Sequence, residues 1–71
     1  MYWMERLDGR KIRARLEQLE LPGWRVAAAI DVDPTTFSKY VRGHLPCPWR
    51  LRRKIERVLC LRDGEIVLET H

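Results

Sequence analysis

The chain has 71 residues, of which 45% are hydrophobic and 34% are charged, and its formal net charge is +4 at pH 7. This hydrophobic fraction excludes a wholly disordered chain, and the length predicts one domain over residues 1–71 with a single small core. No apolar run approaches the roughly 20 residues that cross a bilayer, and charges interrupt the N-terminus, so neither a membrane span nor a signal peptide is expected. Two cysteines do not make a disulfide framework and indicate reduced thiols in a cytoplasmic protein.

The first predicted helix begins near Asp8, which is a good N-cap residue. Apolar residues then recur at spacings of four and three, which is typical of a helix that buries one stripe. The pair Pro22-Gly23 ends this helix and opens the next connection. The expected buried stripe consists of Ile12, Leu16 and Leu19.

A second helix is predicted over about residues 24–30, where three consecutive alanines favour helix and let another helix approach closely. The polar corner Asp31-Val32-Asp33 follows it. Such a corner often needs a left-handed backbone, which glycine suits best and which Asp31 tolerates. The connection between the second and third helices is therefore expected to be tight.

The third helix is predicted to begin at Pro34, because the missing proline N–H costs nothing at the first helical position. Asp33 is suited to cap its N-terminus, and Gly43 is suited to end it in a left-handed conformation. Phe37 and Tyr40 lie three positions apart and are expected to face the core. The other faces of this helix then carry hydroxyl and basic side chains.

A fourth helix is predicted from about Trp49 to Cys60, after a loop stiffened by two prolines. The tail 63–71 contains a helix-breaking glycine and three apolar residues, 66–68, which predict a short strand or extended arm. A strand needs a hydrogen-bonded partner, and the alternatives are a second copy of the tail, a frayed terminus, or a tail folded back on helix four. The elements predict an all-α domain of four or five helices with a possible short C-terminal strand. In helix four the residues expected to be buried are Leu51, Ile55, Val58 and Leu59.

The basic residues are concentrated in one part of the chain. Residues 34–62 hold eight basic side chains and one acid, a net charge of +7, whereas residues 1–33 are neutral and residues 63–71 carry −3. This positive part coincides with two short helices joined by a tight corner, at about 24–42. That layout is typical of a helix-turn-helix, whose second helix can enter a DNA major groove.

Residues from about Ile12 to Leu61 resemble the helix-turn-helix domain of the Cro and phage-repressor family, also called the XRE family. The matching residues are Val26-Ala27 and Ile30 in helix two, Val32 in the turn, Phe37 and Tyr40 in the recognition helix, Arg42-Gly43 at its end, Pro46 in the loop, and 58–61 in a leucine-rich turn. Three residues depart from the family pattern: Asp31 replaces the turn glycine, Gly23 replaces a polar residue that commonly contacts phosphate, and Val41 replaces a frequent acid.

The resemblance implies a lambda-repressor-like domain that binds double-stranded DNA as a homodimer, on palindromic half-sites about one helical turn apart. It implies a transcriptional repressor that acts by occupying its operator in a bacterial or phage-infected cell, encoded by a phage or another mobile element. Base contacts are expected from Thr35, Thr36, Ser38, Lys39 and Arg42. Phosphate contacts are expected from Trp24, Arg25, His44, Arg50 and Arg53.

Other classes of function have less support in the sequence. His44 and Cys47 lack the paired spacing of a metal site, and Ser38 has no plausible base beside it, so we expect no metal, cofactor, small-molecule substrate or enzymatic activity. The main rival is a protein-interaction module, such as an anti-activator or antitoxin-like partner, that keeps the fold without binding DNA. Gly23, Val41 and the apolar ends at 2–3 and 66–68 leave room for it. RNA binding is a second rival, for which no aromatic stacking platform is present.

Overall fold

The structure is a computed structural model, and it describes residues 4–68. Four helices and two short strands occur in that part, in the order β1 (Met4–Glu5), α1 (Gly9–Leu19), α2 (Gly23–Ala29), α3 (Pro34–Arg42), β2 (Cys47–Pro48) and α4 (Trp49–Val58). The mainly helical expectation is confirmed, but the domain is not purely helical. Strands β1 and β2 pair antiparallel, with Met4 opposite Pro48 and Glu5 opposite Cys47.

Capping residues set the start of α1 and both ends of α3 as predicted. Three other predicted boundaries are wrong: α1 ends at Leu19, where the left-handed Glu20 (φ 51°) and not Pro22-Gly23 stops it, Gly23 is the first residue of α2, and α4 ends at Val58 instead of Cys60. In α1 the Asp8 carboxylate accepts hydrogen bonds from the backbone N–H groups of Arg10 and Lys11 at 3.1 and 3.3 Å. In α3 the Asp33 carboxylate accepts from the N–H of Thr35 at 2.8 Å. Asp31 has φ 60° and Gly43 has φ 78°, so both adopt the expected left-handed conformation. Short-range side-chain chemistry therefore determines where α3 begins and ends.

The core combines side chains of all four helices with residues outside them. Leu7 precedes α1 and Ile66 follows α4, and both are buried together with the helical residues. The expectation for Leu19 is wrong, because this side chain at the end of α1 remains 40% exposed. Leu16, Leu51 and Val58 are only partly buried at the edge of the core. The buried core consists of Leu7, Ile12, Val26, Ala27, Ile30, Phe37, Tyr40, Cys47, Ile55, Leu59 and Ile66.

The tail pairs with the N-terminal segment of its own chain. Leu7 and Val67 form an antiparallel bridge, flanked by hydrogen bonds from Asp8 N–H to the Ile66 carbonyl at 2.7 Å and from Leu68 N–H to the Arg6 carbonyl at 2.8 Å. We call this contact between residues 6–8 and 66–68 the terminal pairing. It meets the need of the tail for a ladder partner, and this partner, the segment before α1, is none of the three alternatives that the sequence predicted. Residues 69–71 lie outside the described part.

A group of charges centred on the buried Glu56 connects α4 to residues at and next to the terminal pairing. Glu56 is fully buried, and its carboxylate accepts from Arg52 at 2.8 Å, from Arg53 at 3.3 Å and from the backbone N–H of Ile66 at 3.4 Å. Arg52, only 7% exposed, also donates to Glu5 at 2.9 Å and to Asp63. The hydrogen bond from Arg52 lowers the pKa of Asp63, so this carboxylate favours the folded state above its ordinary pKa and ceases to do so as the pH falls. We call these five residues the ion cluster: Glu5, Arg52, Arg53, Glu56 and Asp63.

Gly9 allows the start of α1 to touch the end of α3. A Cβ atom built on Gly9 would lie 2.2 Å from the backbone oxygen of Val41 and 3.2 Å from Nη2 of Arg13. The first distance is far shorter than any van der Waals contact, and the obstructing atom belongs to the backbone. Glycine at position 9 is therefore required by the close approach of the two helices.

We expect Gly9→Ala to lower the free energy of unfolding by about 1–3 kcal/mol, the usual cost of overpacking. Gly23→Ala is the matched control, because its Cβ would meet the Phe37 ring at an ordinary 3.5 Å. Alanine is the better helix former by about 1 kcal/mol, so this control should be neutral or stabilising. Urea denaturation measures both variants, and equal stability of the two would contradict the close contact between α1 and α3.

Arg52→Met should cost about 3–5 kcal/mol, because it leaves the buried carboxylate of Glu56 without its main partner. The double variant Arg52→Met/Glu56→Leu should recover much of this loss, since an apolar pair leaves no buried charge without a partner. A double-mutant cycle by chemical denaturation measures the coupling. If the two single effects simply add in the double variant, Arg52 and Glu56 do not stabilise each other.

Candidate nucleic-acid interface

Helix α3 buries one side and exposes the other, in the phase that the sequence predicts. Phe37 and Tyr40 are buried, with 4% and 9% of their surface exposed. The remaining side of the helix is therefore turned outward, and it carries hydroxyl and basic side chains. Thr35, Lys39 and Arg42 are exposed, and Thr36 and Ser38 are half-buried.

The end of α3 brings a histidine onto the same surface. The left-handed turn at Gly43 reverses the chain, and the N–H of His44 donates to the Lys39 carbonyl at 3.0 Å. This surface contains a shallow depression, which is lined by Pro34 and by five residues that we call the α3 face: Thr35, Ser38, Lys39, Arg42 and His44. Four of the five predicted base-contact residues are thus brought together, while Thr36 does not line the depression.

Trp24 lies beside the α3 face. It occupies the first turn of α2, with 61% of its surface exposed, and lines a neighbouring depression together with Ser38 and Arg42. A large apolar ring with this exposure is available to contact another molecule. Arg25 follows it on α2 and is exposed, although it lines neither depression.

The two candidate phosphate-binding arginines of α4 differ in their surroundings. Arg50 is exposed, and its guanidinium carbon lies 5.6 Å from the ring centre of Trp49, which is itself 41% exposed. Arg53 is half-buried and belongs to the ion cluster, where it lies 3.3 Å from Glu56 and 3.8 Å from Asp63. Arg50 is therefore available for an external anion, whereas Arg53 is engaged in holding the fold.

Three arginines of the N-terminal part also lie near the α3 face. Arg6, Arg10 and Arg13 line a depression that they share with Arg42. The sequence interpretation missed them, because residues 1–33 carry no net charge and α1 is separated from α3 along the chain. The glycine at position 9 was the only local sign of this contact, and glycine alone does not identify which segment approaches it.

No metal-binding or membrane-spanning feature is found among residues 4–68. In that range, no three His, Cys, Asp or Glu side chains are grouped so that they could hold a metal ion. Cys47 is buried, and its Sγ lies 3.5 Å from the Pro48 carbonyl oxygen. Burial, followed by the negative charge of Glu5, raises the pKa of this thiol to about 12, which makes it a poor ligand. None of the helices in the same range has the length and apolar character needed to cross a bilayer.

Comparison of the chain with protein-family models, curated proteins and solved structures gave no match. The resemblance described above therefore rests on the pattern of residues in the sequence. The function has to be argued from the chemistry of the exposed side chains and from their arrangement around α3.

The different surroundings of the two α4 arginines predict different effects on stability. Arg53→Ala should lower the free energy of unfolding by about 1 kcal/mol, because it removes a half-buried partner of Glu56. Arg50→Ala, three residues earlier on the same helix, should change it by less than about 0.5 kcal/mol, as is usual for an exposed side chain. Thermal melts of both variants make the comparison, and an equal loss would place Arg53 outside the ion cluster.

Proposed function

We propose that the protein is a sequence-specific DNA-binding regulator whose helix α3 enters the major groove. The observation that carries this proposal is the α3 face, a polar and basic surface on a helix that is capped at both ends and packed on a second short helix. An α-helix with its side chains is about 10–12 Å in diameter, which suits a major groove about 12 Å wide, and the nine residues of α3 are enough for two and a half turns in it.

The side chains of the α3 face have the chemistry needed to distinguish bases. Lys39 and Arg42 are donors suited to the O6 and N7 acceptors of guanine. Thr35 and Ser38 both donate and accept, so they can bond to base edges or phosphates, and their small size keeps the helix close to the groove floor. Thr36 does not line the depression of the α3 face. In this proposal it contacts DNA from the edge of the helix.

Flanking groups would hold the phosphate backbone. Trp24, Arg25, His44 and Arg50 are all exposed, and none of the three basic side chains among them is engaged in an ion pair within residues 4–68. Phosphate contacts supply most nonspecific affinity and fix the register of the protein on the duplex. Arg53 is left out of this set because it serves the ion cluster.

We further propose that the protein is a homodimeric repressor with a lambda-repressor-like fold, which blocks an operator by occupying it. This part rests on the resemblance to the Cro and phage-repressor family and on the two-fold symmetry of palindromic sites. Residues 66–68 already have a pairing partner within the chain, so we place the dimer contact elsewhere. Met4 and Trp49 offer an exposed apolar surface beside the β1–β2 pair, with 43% and 41% of their area exposed.

A protein-interaction module is the second candidate. Its support is the depression beside Trp24, which is lined by apolar groups of Leu16, Phe37 and Val41. In the apolar tail Ile66 no longer supports it, because this side chain is buried within the chain, whereas Leu68 is 43% exposed; residues 2–3 lie outside the described part. Mixing the protein with genomic DNA fragments at about 0.15 M salt and sequencing the bound fraction separates the two. Enrichment of a common motif supports the regulator, and the absence of bound DNA supports the interaction module.

Lys39→Ala should relax the base preference at one position of each half-site, at a cost of about 1–3 kcal/mol in discrimination. Lys54→Ala is the matched control, because Lys54 is an exposed lysine on α4 that does not line the α3 face. Binding-site selection with randomised duplexes measures both variants. The assignment of Lys39 to base reading is wrong if its variant selects the same motif as the wild type with the same affinity.

A further inference from the structure

A second basic surface adjoins the α3 face and extends onto α1. Its charged lining consists of Arg6, Arg10, Arg13 and Arg42, with Asp8 as the acid among them. We call it the arginine groove. Arg42 lines this groove, the α3 face and the depression beside Trp24, so the three surfaces are continuous.

Two contacts with backbone carbonyl groups build the groove. The absence of a side chain on Gly9 lets the first turn of α1 approach the Val41 carbonyl, which brings Arg10 and Arg13 next to the end of α3. Arg6 donates from Nη1 to the Gly43 carbonyl at 2.6 Å, and so connects the segment before α1 to the C-terminal cap of α3. The position of the arginines relative to α3 is therefore set by the fold.

The charges of the groove are largely uncompensated. Arg10, Arg13 and Arg42 are exposed, and within residues 4–68 their side chains make no ion pair. The carboxylate of Asp8 already accepts two backbone N–H groups as the cap of α1. Guanidinium groups bind phosphate oxygens through pairs of parallel hydrogen bonds, which makes a phosphate the ligand that best matches this surface.

We propose that the arginine groove binds the sugar-phosphate backbone of the DNA that α3 reads, with Arg10 and Arg13 each neutralising one phosphate. This inference rests on the proposed function, and it assigns DNA contacts to a helix outside the helix-turn-helix. Arg10 and Arg13 lie one helical turn apart, about 5–6 Å between their Cβ atoms. That spacing lets them reach neighbouring phosphates of one DNA strand. Arg42, where the arginine groove meets the α3 face, would lie between this strand and the DNA major groove that α3 occupies.

The open shape and the continuity with the α3 face favour a polymer over a small anion. A selective small-ligand site places a few polar groups inside a concave pocket. Among the described residues, no buried side-chain nitrogen or oxygen lacks a hydrogen-bond partner, so no unpaired buried group is present to bind such a ligand. A phosphodiester strand needs only exposed cations along its path, and the groove supplies them.

The test compares two double variants that remove the same charge. Arg10→Gln/Arg13→Gln alters the groove, and Lys54→Gln/Arg57→Gln alters the exposed side of α4. Fluorescence anisotropy with a fixed duplex, between about 50 and 200 mM salt, gives the slope of log affinity against log salt for each. The groove variant should lower the slope by about 1.8, or about 0.9 per phosphate contact, while the control leaves it unchanged. Base preference should stay the same in both.

The outcomes separate the inference from the function on which it rests. If the wild type binds DNA and Lys39→Ala changes its base preference, but the groove variant keeps the wild-type slope, the proposed function stands and the groove is not a phosphate site. Equal slope changes in both double variants would show a general charge effect and overturn the assignment. Absence of DNA binding by the wild type would overturn both proposals. Thermal melts check folding, and should the double variant not fold, Arg10→Gln alone should lower the slope by about 0.9.

Discussion

The buried carboxylate of Glu56 is the constraint on which the rest of the fold depends. A charge with no exposure to water persists only with several partners, and these come from α4 itself and from the backbone of Ile66. Arg52, its main partner, reaches further, to Glu5 before α1 and to Asp63 after α4. One ion pair on α4 therefore fixes both end segments. Since α1 follows the first of them and touches the end of α3, the surroundings of the α3 face depend on this pair.

Local chemistry made α3 predictable from the sequence. Its cap, its first residue and its end are encoded by Asp33, Pro34 and Gly43, which act within a few positions of the boundary. The spacing of Phe37 and Tyr40 fixes which side is buried, and so determines the outward side as well. The boundaries and phase of the helix, and the outward position of most residues predicted to contact bases, follow from this short stretch alone.

Features that depend on distant segments were not predictable. Arg52 and Glu56 are four positions apart on α4 and have the pattern of an ordinary surface pair, and only the packing of Glu5 and Ile66 against them makes them buried. The β1–β2 pair was not predictable either, because strands of two residues are too short to show an alternation of apolar and polar residues. Charge counting along the chain failed for a related reason: a neutral segment contributes Arg13 to a basic surface, while Arg53, from the most basic segment, is neutralised. The attraction of a phosphate depends on which charges are exposed on the surface, whatever their order in the sequence.

The terminal pairing has a consequence for how the domain folds and opens. Leu7 and Val67 are sixty positions apart, so their contact closes nearly the whole chain, whereas α2 and α3 are joined by a corner of a few residues. Closing a long loop has an entropic cost that precedes any stabilisation by the contacts it forms. The local pair α2 and α3 is therefore expected to form first, and the terminal pairing last. The reverse order applies to opening. Separation of the ends would expose Leu7 and Ile66, but it would also return water to Glu56 and so recover part of the hydration lost on burial, and it would break no hydrogen bond within α2 or α3.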